Sequence, residues 1–99
     1  MKKLLNTLFV TTEDAYLSLD GENVVISKDR QELARFPLHT LSGVIAFTYA
    51  GASPALMGGC AERGVSLSFC SPSGRFLART VGGENGNVLL RRMQYRVAD

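Results

Sequence analysis

The sequence predicts a mainly β fold, a small antiparallel β-sandwich-like domain with one short helix and the start of a C-terminal helix. Three observations predict it. The apolar and β-branched runs are short and separated by turn chemistry, as in strands. The Ser53-Pro54 pair opens the one compact helical stretch before the last quarter. From residue 87 the apolar pattern changes to helical spacing.

In chain order, LLNTLFV (4–10) reads as a first strand, and AYLSL (15–19) and NVVIS (23–27) continue it as a meander, with Asp20-Gly21 as turn residues. Asp29 and Arg30 lie in the next turn, ahead of LARFPL (33–38). GVIAFTY (43–49) is a nearly continuous apolar run, which implies a strand covered on both faces or lying at an interface. Ser53 is a good N-cap, Pro54 suits the first helical position, and Gly64 is placed to stop the helix ALMGGCAER. VSLSFC (65–70) and FLARTV (76–81) flank Ser71-Pro72-Ser73-Gly74, whose Pro and Gly suit a type I turn, so a hairpin closes the β part. Gly82 to Gly86 reads as a flexible joint. Asn87 then caps a helix with Leu89, Leu90, Met93 and Val97 on one face and Arg91, Arg92 and Arg96 on the other. The domain boundaries that follow are 1–81 for the β-domain, 82–86 for the linker and 87–99 for the first helical segment.

A chain of 99 residues suffices for one modest core. No apolar run approaches the roughly 20 residues of a membrane-spanning helix. Thr11-Thr12-Glu13-Asp14 also interrupts the N-terminal run before a secretory signal can form, so a cytoplasmic protein without a membrane partner is expected. Cys60 and Cys70 are too few and too far apart for a metal knuckle or a CxxC pair. The formal charge is +2, yet residues 1–74 carry six basic and seven acidic side chains, whereas residues 75–99 carry five arginines against Glu84 and Asp99.

Catalytic chemistry is not advertised. His39 is the lone histidine and sits in a strand end or loop, and the acidic residues cluster at turns, where carboxylates satisfy backbone donors. Gly82-Gly83-Glu84-Asn85-Gly86 lacks both the following Lys-Ser/Thr and the GxGxxG spacing of phosphate-binding loops. The sites open to this reading are non-catalytic: phosphate contact, as in DNA binding, through Arg91, Arg92 and Arg96, with the solvated side of an amphipathic helix as the other reading of that face, and a dimer interface through Val44, Ile45, Phe47 and Tyr49 of the apolar strand. An independent small β-module that binds nucleic acid or a protein partner is the alternative.

FPLHTLSGVIAF, the Ser-Pro-initiated helix, AERGVSLSF, SPSGRFLAR and GNVLLRRMQYR, in this order, resemble the N-terminal part of the CRISPR-associated endonuclease that acts as integrase in spacer acquisition. GNVLLRRMQYR is most similar to members from type I-C systems. The resemblance covers about residues 4 to 97. It implies an N-terminal β-domain joined by a linker to an α-helical catalytic domain, in which a Glu, a His and an Asp hold Mg²⁺ or Mn²⁺. Those ligands would lie beyond Asp99, so no cofactor and no catalytic or metal residue is expected within this chain. The resemblance further implies a homodimer that holds prespacer and repeat DNA together with a small ferredoxin-like CRISPR-associated companion. Some relatives use an aromatic residue after the first strand to splay the DNA end, where this chain has Thr11-Thr12.

Overall fold

A computed structural model describes residues 2–81; the expected linker 82–86 and helix 87–99 lie outside the described residues. The first apolar run is two strands rather than one. β1 (Lys2–Leu4) and β2 (Thr7–Val10) form an antiparallel hairpin about Leu5-Asn6, with Leu5 at φ +57. Strands β3 (Tyr16–Asp20), β4 (Asn23–Lys28) and β5 (Gln31–Pro37) follow as an antiparallel meander. A single 3-10 turn, Leu38–Thr40, leads into β6 (Gly43–Phe47). Then come α1 (Pro54–Arg63), β7 (Ser66–Cys70) and β8 (Phe76–Arg79).

The strands assemble into a five-stranded sheet of order β1-β2-β6-β7-β8 and a three-stranded sheet β3-β4-β5. Two expectations change here. The N-terminal run does not join the meander, because β2 pairs with β6, and that pairing is parallel, as is β6 with β7. The larger sheet is thus mixed. Parallel neighbours cannot be joined by a tight turn and need a long crossover. The three-stranded sheet is the crossover from β2 to β6, and α1 is the crossover from β6 to β7.

Alternation places Leu8 and Val10 of β2, Val44 and Ala46 of β6 and Leu67 of β7 on one face of the larger sheet, all with no exposed surface. Opposite them lie Leu17 of β3, Val24 and Ile26 of β4, and Leu56 and Cys60 of α1, in one continuous core. Burying each such side chain is worth about 1.5–3 kcal/mol, and this layer holds the two sheets together.

The helix begins and ends as the sequence predicts. Ser53 Oγ accepts from the Leu56 N–H at 3.1 Å, Pro54 occupies the first turn, and Gly64 takes the left-handed conformation at φ +69 that ends the helix. In the last hairpin the Gly74 N–H donates to the Ser71 carbonyl at 2.8 Å, closing the expected turn. Gly74 itself is at φ +99.

Two neighbouring glycines of α1 differ in what surrounds them. A Cβ on exposed Gly58 meets nothing within 4 Å, whereas one on buried Gly59 comes within 3.1 Å of Leu19 Cδ2 and 3.2 Å of Arg63 Nη1. Gly58→Ala should raise unfolding stability by about 0.5–1 kcal/mol through helix propensity and a stiffer unfolded chain. Gly59→Ala should give none of that gain, because Leu19 and Arg63 must move aside. Paired urea titrations of the two variants check this; equal stabilisation would contradict the packing described.

Candidate functional site

Several charged side chains of the smaller sheet are engaged with one another or with α1. On its solvent side Arg35 donates from Nη2 and Nε to the two Glu32 carboxylate oxygens at 2.7 and 2.9 Å, and from Nη1 to Asp20 Oδ2 at 3.1 Å. The hydrogen bonds from Arg35 hold the Glu32 carboxyl below the usual carboxylate range, and the same contacts push the Arg35 guanidinium further up. At the end of α1, Arg63 donates to Glu22 Oε2 from Nη2 at 2.8 Å and from Nε at 3.0 Å. Its Nη1 reaches the Gly59 carbonyl at 3.0 Å, tying the helix to the β3–β4 turn. These pairs sit at the surface and serve orientation more than stability.

Nucleophiles and bases are not brought together. Among the described residues no group of three or more His, Cys, Asp or Glu could hold a metal ion. His39 is exposed on the 3-10 turn. Cys60 is fully buried, and burial pushes its thiol above the ordinary range, which keeps it protonated and a poor nucleophile at neutral pH. A cavity of about 210 Å³ opens between the last turn of α1 and the end of β8, lined by Cys60, Ala61, Val65, Arg79 and Thr80 among others. Among the described residues that line it there is no carboxylate or imidazole to carry acid–base chemistry.

The other face of the five-stranded sheet is the feature the sequence only half revealed. The register row Phe9–Ile45–Ser68–Arg79 runs across four strands, and Phe47, Cys70 and Phe76 form the next. Phe9, Ile45 and Phe47 are half-buried, and Phe76 is 60% exposed. Of the four expected interface residues, the structure therefore places Ile45 and Phe47 together on this outer face. Val44 is corrected: it is core, because adjacent residues of a strand point to opposite faces and its side chain meets the smaller sheet. Tyr49 lies beyond the end of β6 and is 72% exposed. The β6 run is thus sealed on one face only by the described residues. Phe9 and Phe76 were missed as members of this face; the alternation of Leu8 and Val10 around Phe9 was the available signal. Arg91, Arg92 and Arg96 lie outside the described residues.

These features define a two-sheet β-domain whose visible chemistry is that of surfaces. Residues 8–99 match the family model of the CRISPR associated protein Cas1. The chain belongs to the Cas1 family. It is 54% identical, over its entire length and 29% of the relative's, to the CRISPR-associated endonuclease Cas1 1 of Chlorobaculum tepidum. It is 48% identical, over the same shares, to the CRISPR-associated endonuclease Cas1 2 of Rhodospirillum rubrum. The chain therefore spans less than a third of the length of these relatives, and corresponds to the N-terminal part of Cas1. The same fold occurs in a CAS1 protein from Thermotoga maritima, with TM-score 0.67 at 8% identity over 79% of this chain and 26% of that one. It occurs again in a TtCas1–DNA complex, with TM-score 0.63 at 18% identity over 83% of this chain and 32% of that one.

The raised Cys60 pKa gives a direct check. In a Cys70→Ser background, iodoacetamide should label Cys60 at pH 7 only as fast as the chain unfolds. Because the folded thiol titrates above the unfolded one, its contribution to stability is complete below the unfolded pKa and is lost as pH rises toward the folded value. Rapid labelling of the folded chain at pH 7 would show that the thiol is accessible and ionised.

Proposed function

We propose that this chain is the non-catalytic N-terminal domain of a CRISPR spacer-acquisition integrase, serving to pair two copies of the enzyme and to help hold its DNA. The family match carries the reading, and the half-covered outer face of the five-stranded sheet says how the domain would act. A half-buried patch of Phe9, Ile45 and Phe47 on the face of the sheet away from the core is the kind of surface that a second copy covers. Ile45 and Phe47 form the contact in this reading, with Tyr49 at its rim. The domain boundaries are those given above: a β-domain to residue 81, a joint at 82–86, and the entry into a helical domain from residue 87.

Cleavage and strand transfer of DNA need a divalent metal held by convergent ligands that polarise a phosphate and activate a nucleophile. The described residues do not fit that role, since no three of their carboxylates, thiols or imidazoles converge and Asp20, Glu22 and Glu32 are engaged by Arg35 and Arg63. In the proposed enzyme, Mg²⁺ or Mn²⁺ belongs to the helical domain. Prespacer and repeat DNA and a small ferredoxin-like companion are the partners of the whole protein. Solved relatives described as a Cas6-RT-Cas1–Cas2 complex and as a TtCas1–DNA complex support that choice of partners. The work takes place in the cytoplasm, where the cell's DNA is; no helix among the described residues is long and apolar enough to cross a membrane.

The 99-residue chain should be dimeric by light scattering at high micromolar concentration. Ile45→Asp with Phe47→Asp should give a folded monomer, while Val44→Ala should cost about 2 kcal/mol of stability without changing the association state. A wild-type monomer, or a double variant that dimerises as before, would reject this contact. With Mn²⁺ or Mg²⁺ the chain alone should leave linear and branched DNA intact; cleavage that disappears on substitution of its own residues would reject the non-catalytic assignment.

A further inference from the structure

Charge is divided between the two sheets in a way that neither composition nor net charge reveals. None of the five strands of the larger sheet contains an Asp or Glu. Of the acidic residues of the described chain, Asp20, Glu22, Asp29 and Glu32 lie in the smaller sheet or its turns, Glu13 and Asp14 in the loop from β2 to β3, and Glu62 on α1. Of the cations near them, Arg35 and Arg63 are held in ion pairs, whereas Lys28 and Arg30 take part in none of those seen among the described residues. Arg75 and Arg79 take part in none of the ion pairs seen among the described residues, and both are exposed.

Both belong to the hairpin at the open edge of the larger sheet. β8 pairs only with β7 among the described strands, and each of its four residues is exposed. Phe76, 60% exposed, directly follows Arg75. Two exposed guanidinium groups and an exposed ring, on a hairpin whose own residues include no carboxylate, suit a polyanion that also has flat apolar faces. A DNA strand has both, its phosphates meeting arginine and its bases stacking on aromatic rings.

We propose that the β7–β8 hairpin, through Arg75, Phe76 and Arg79, is a contact site for a single strand of DNA. The proposal rests on the reading that the domain belongs to a DNA-handling enzyme. Phe76 and Arg79 stand on the same outer face as Ile45 and Phe47, two strands nearer the open edge. The two guanidinium groups bind backbone phosphates without regard to sequence, and Phe76 supports one base. A second copy of the chain pairing with this open edge is the competing occupant, and the free cations argue against it because two such edges would bring like charges together.

The test is fluorescence anisotropy of the 99-residue chain with a labelled 20-nucleotide oligothymidine and with a duplex of the same length, over a salt series. Arg75→Ser with Arg79→Ser should weaken single-strand binding about tenfold at low salt and flatten the log–log salt slope by about 1.4, since each phosphate contact contributes about 0.7 for single strands. Lys28→Ser with Arg30→Ser, the same charge removed from the smaller sheet, should change affinity less than about twofold. Phe76→Ala should lower single-strand affinity at least about fivefold with little effect on the duplex. If that variant loses thermal stability, Phe76→Leu, which keeps the bulk without the ring, takes its place. Equal losses from the two charge pairs, no loss from either, or dissociation of the dimer by the β8 substitutions would overturn the proposal. A wild-type chain that dimerises but binds neither oligonucleotide overturns it too, and leaves the pairing role of the domain standing.

Discussion

The parallel placement of β6 between β2 and β7 is the constraint on which the rest of this domain depends. Parallel partners must be reached by crossovers, so the segment after β2 and the segment after β6 both have to leave the sheet and return to it. Each crossover then becomes the cover of the sheet it leaves. The meander β3-β4-β5 fills the first and brings Leu17, Val24 and Ile26 over the sheet, while α1 fills the second and brings Leu56 and Cys60. One pairing choice thus creates both the second layer and the core.

The same choice leaves the outer face of the larger sheet without a layer among the described residues. Both crossovers contribute their apolar side chains to one face, where Val44 and Ala46 are sealed, and Ile45 and Phe47 on the reverse remain half-covered. Covering the apolar area that remains exposed there would be favourable in proportion to the area removed from water. The asymmetry of charge follows the same division: turns rich in carboxylates belong to the meander, and the larger sheet carries none in its strands.

Polar side chains mostly fix orientation. Arg63 spans from the Gly59 carbonyl to Glu22, so the end of α1 is registered against the β3–β4 turn. Arg35 bridges Asp20 and Glu32 across the solvent side of the meander. No buried side-chain nitrogen or oxygen among the described residues lacks a partner, which suits a rigid platform better than a strained, reactive site.

Local structure was legible in the sequence wherever a residue's own chemistry dictates its backbone. Ser53 with Pro54 and Gly64 delimited the helix, Pro72 and Gly74 set the last turn, and Gly21 at φ +61 occupies the turn after β3. The ordered resemblance likewise pointed to the Cas1 family, which the family model and the relatives of Chlorobaculum tepidum and Rhodospirillum rubrum bear out. Only the tertiary structure decided which strands are neighbours. LLNTLFV carries no signal that it folds back at Leu5-Asn6 or that it pairs with GVIAF more than 30 residues later, because backbone pairing is nearly the same for any two extended segments and the choice is made by which faces must be buried together. Composition likewise counted GVIAFTY as one apolar run, and it took the sheet to separate Val44, sealed in the core, from Ile45 and Phe47 on the reverse face. Strand alternation assigns residues to two sides, but only packing decides which side is inside.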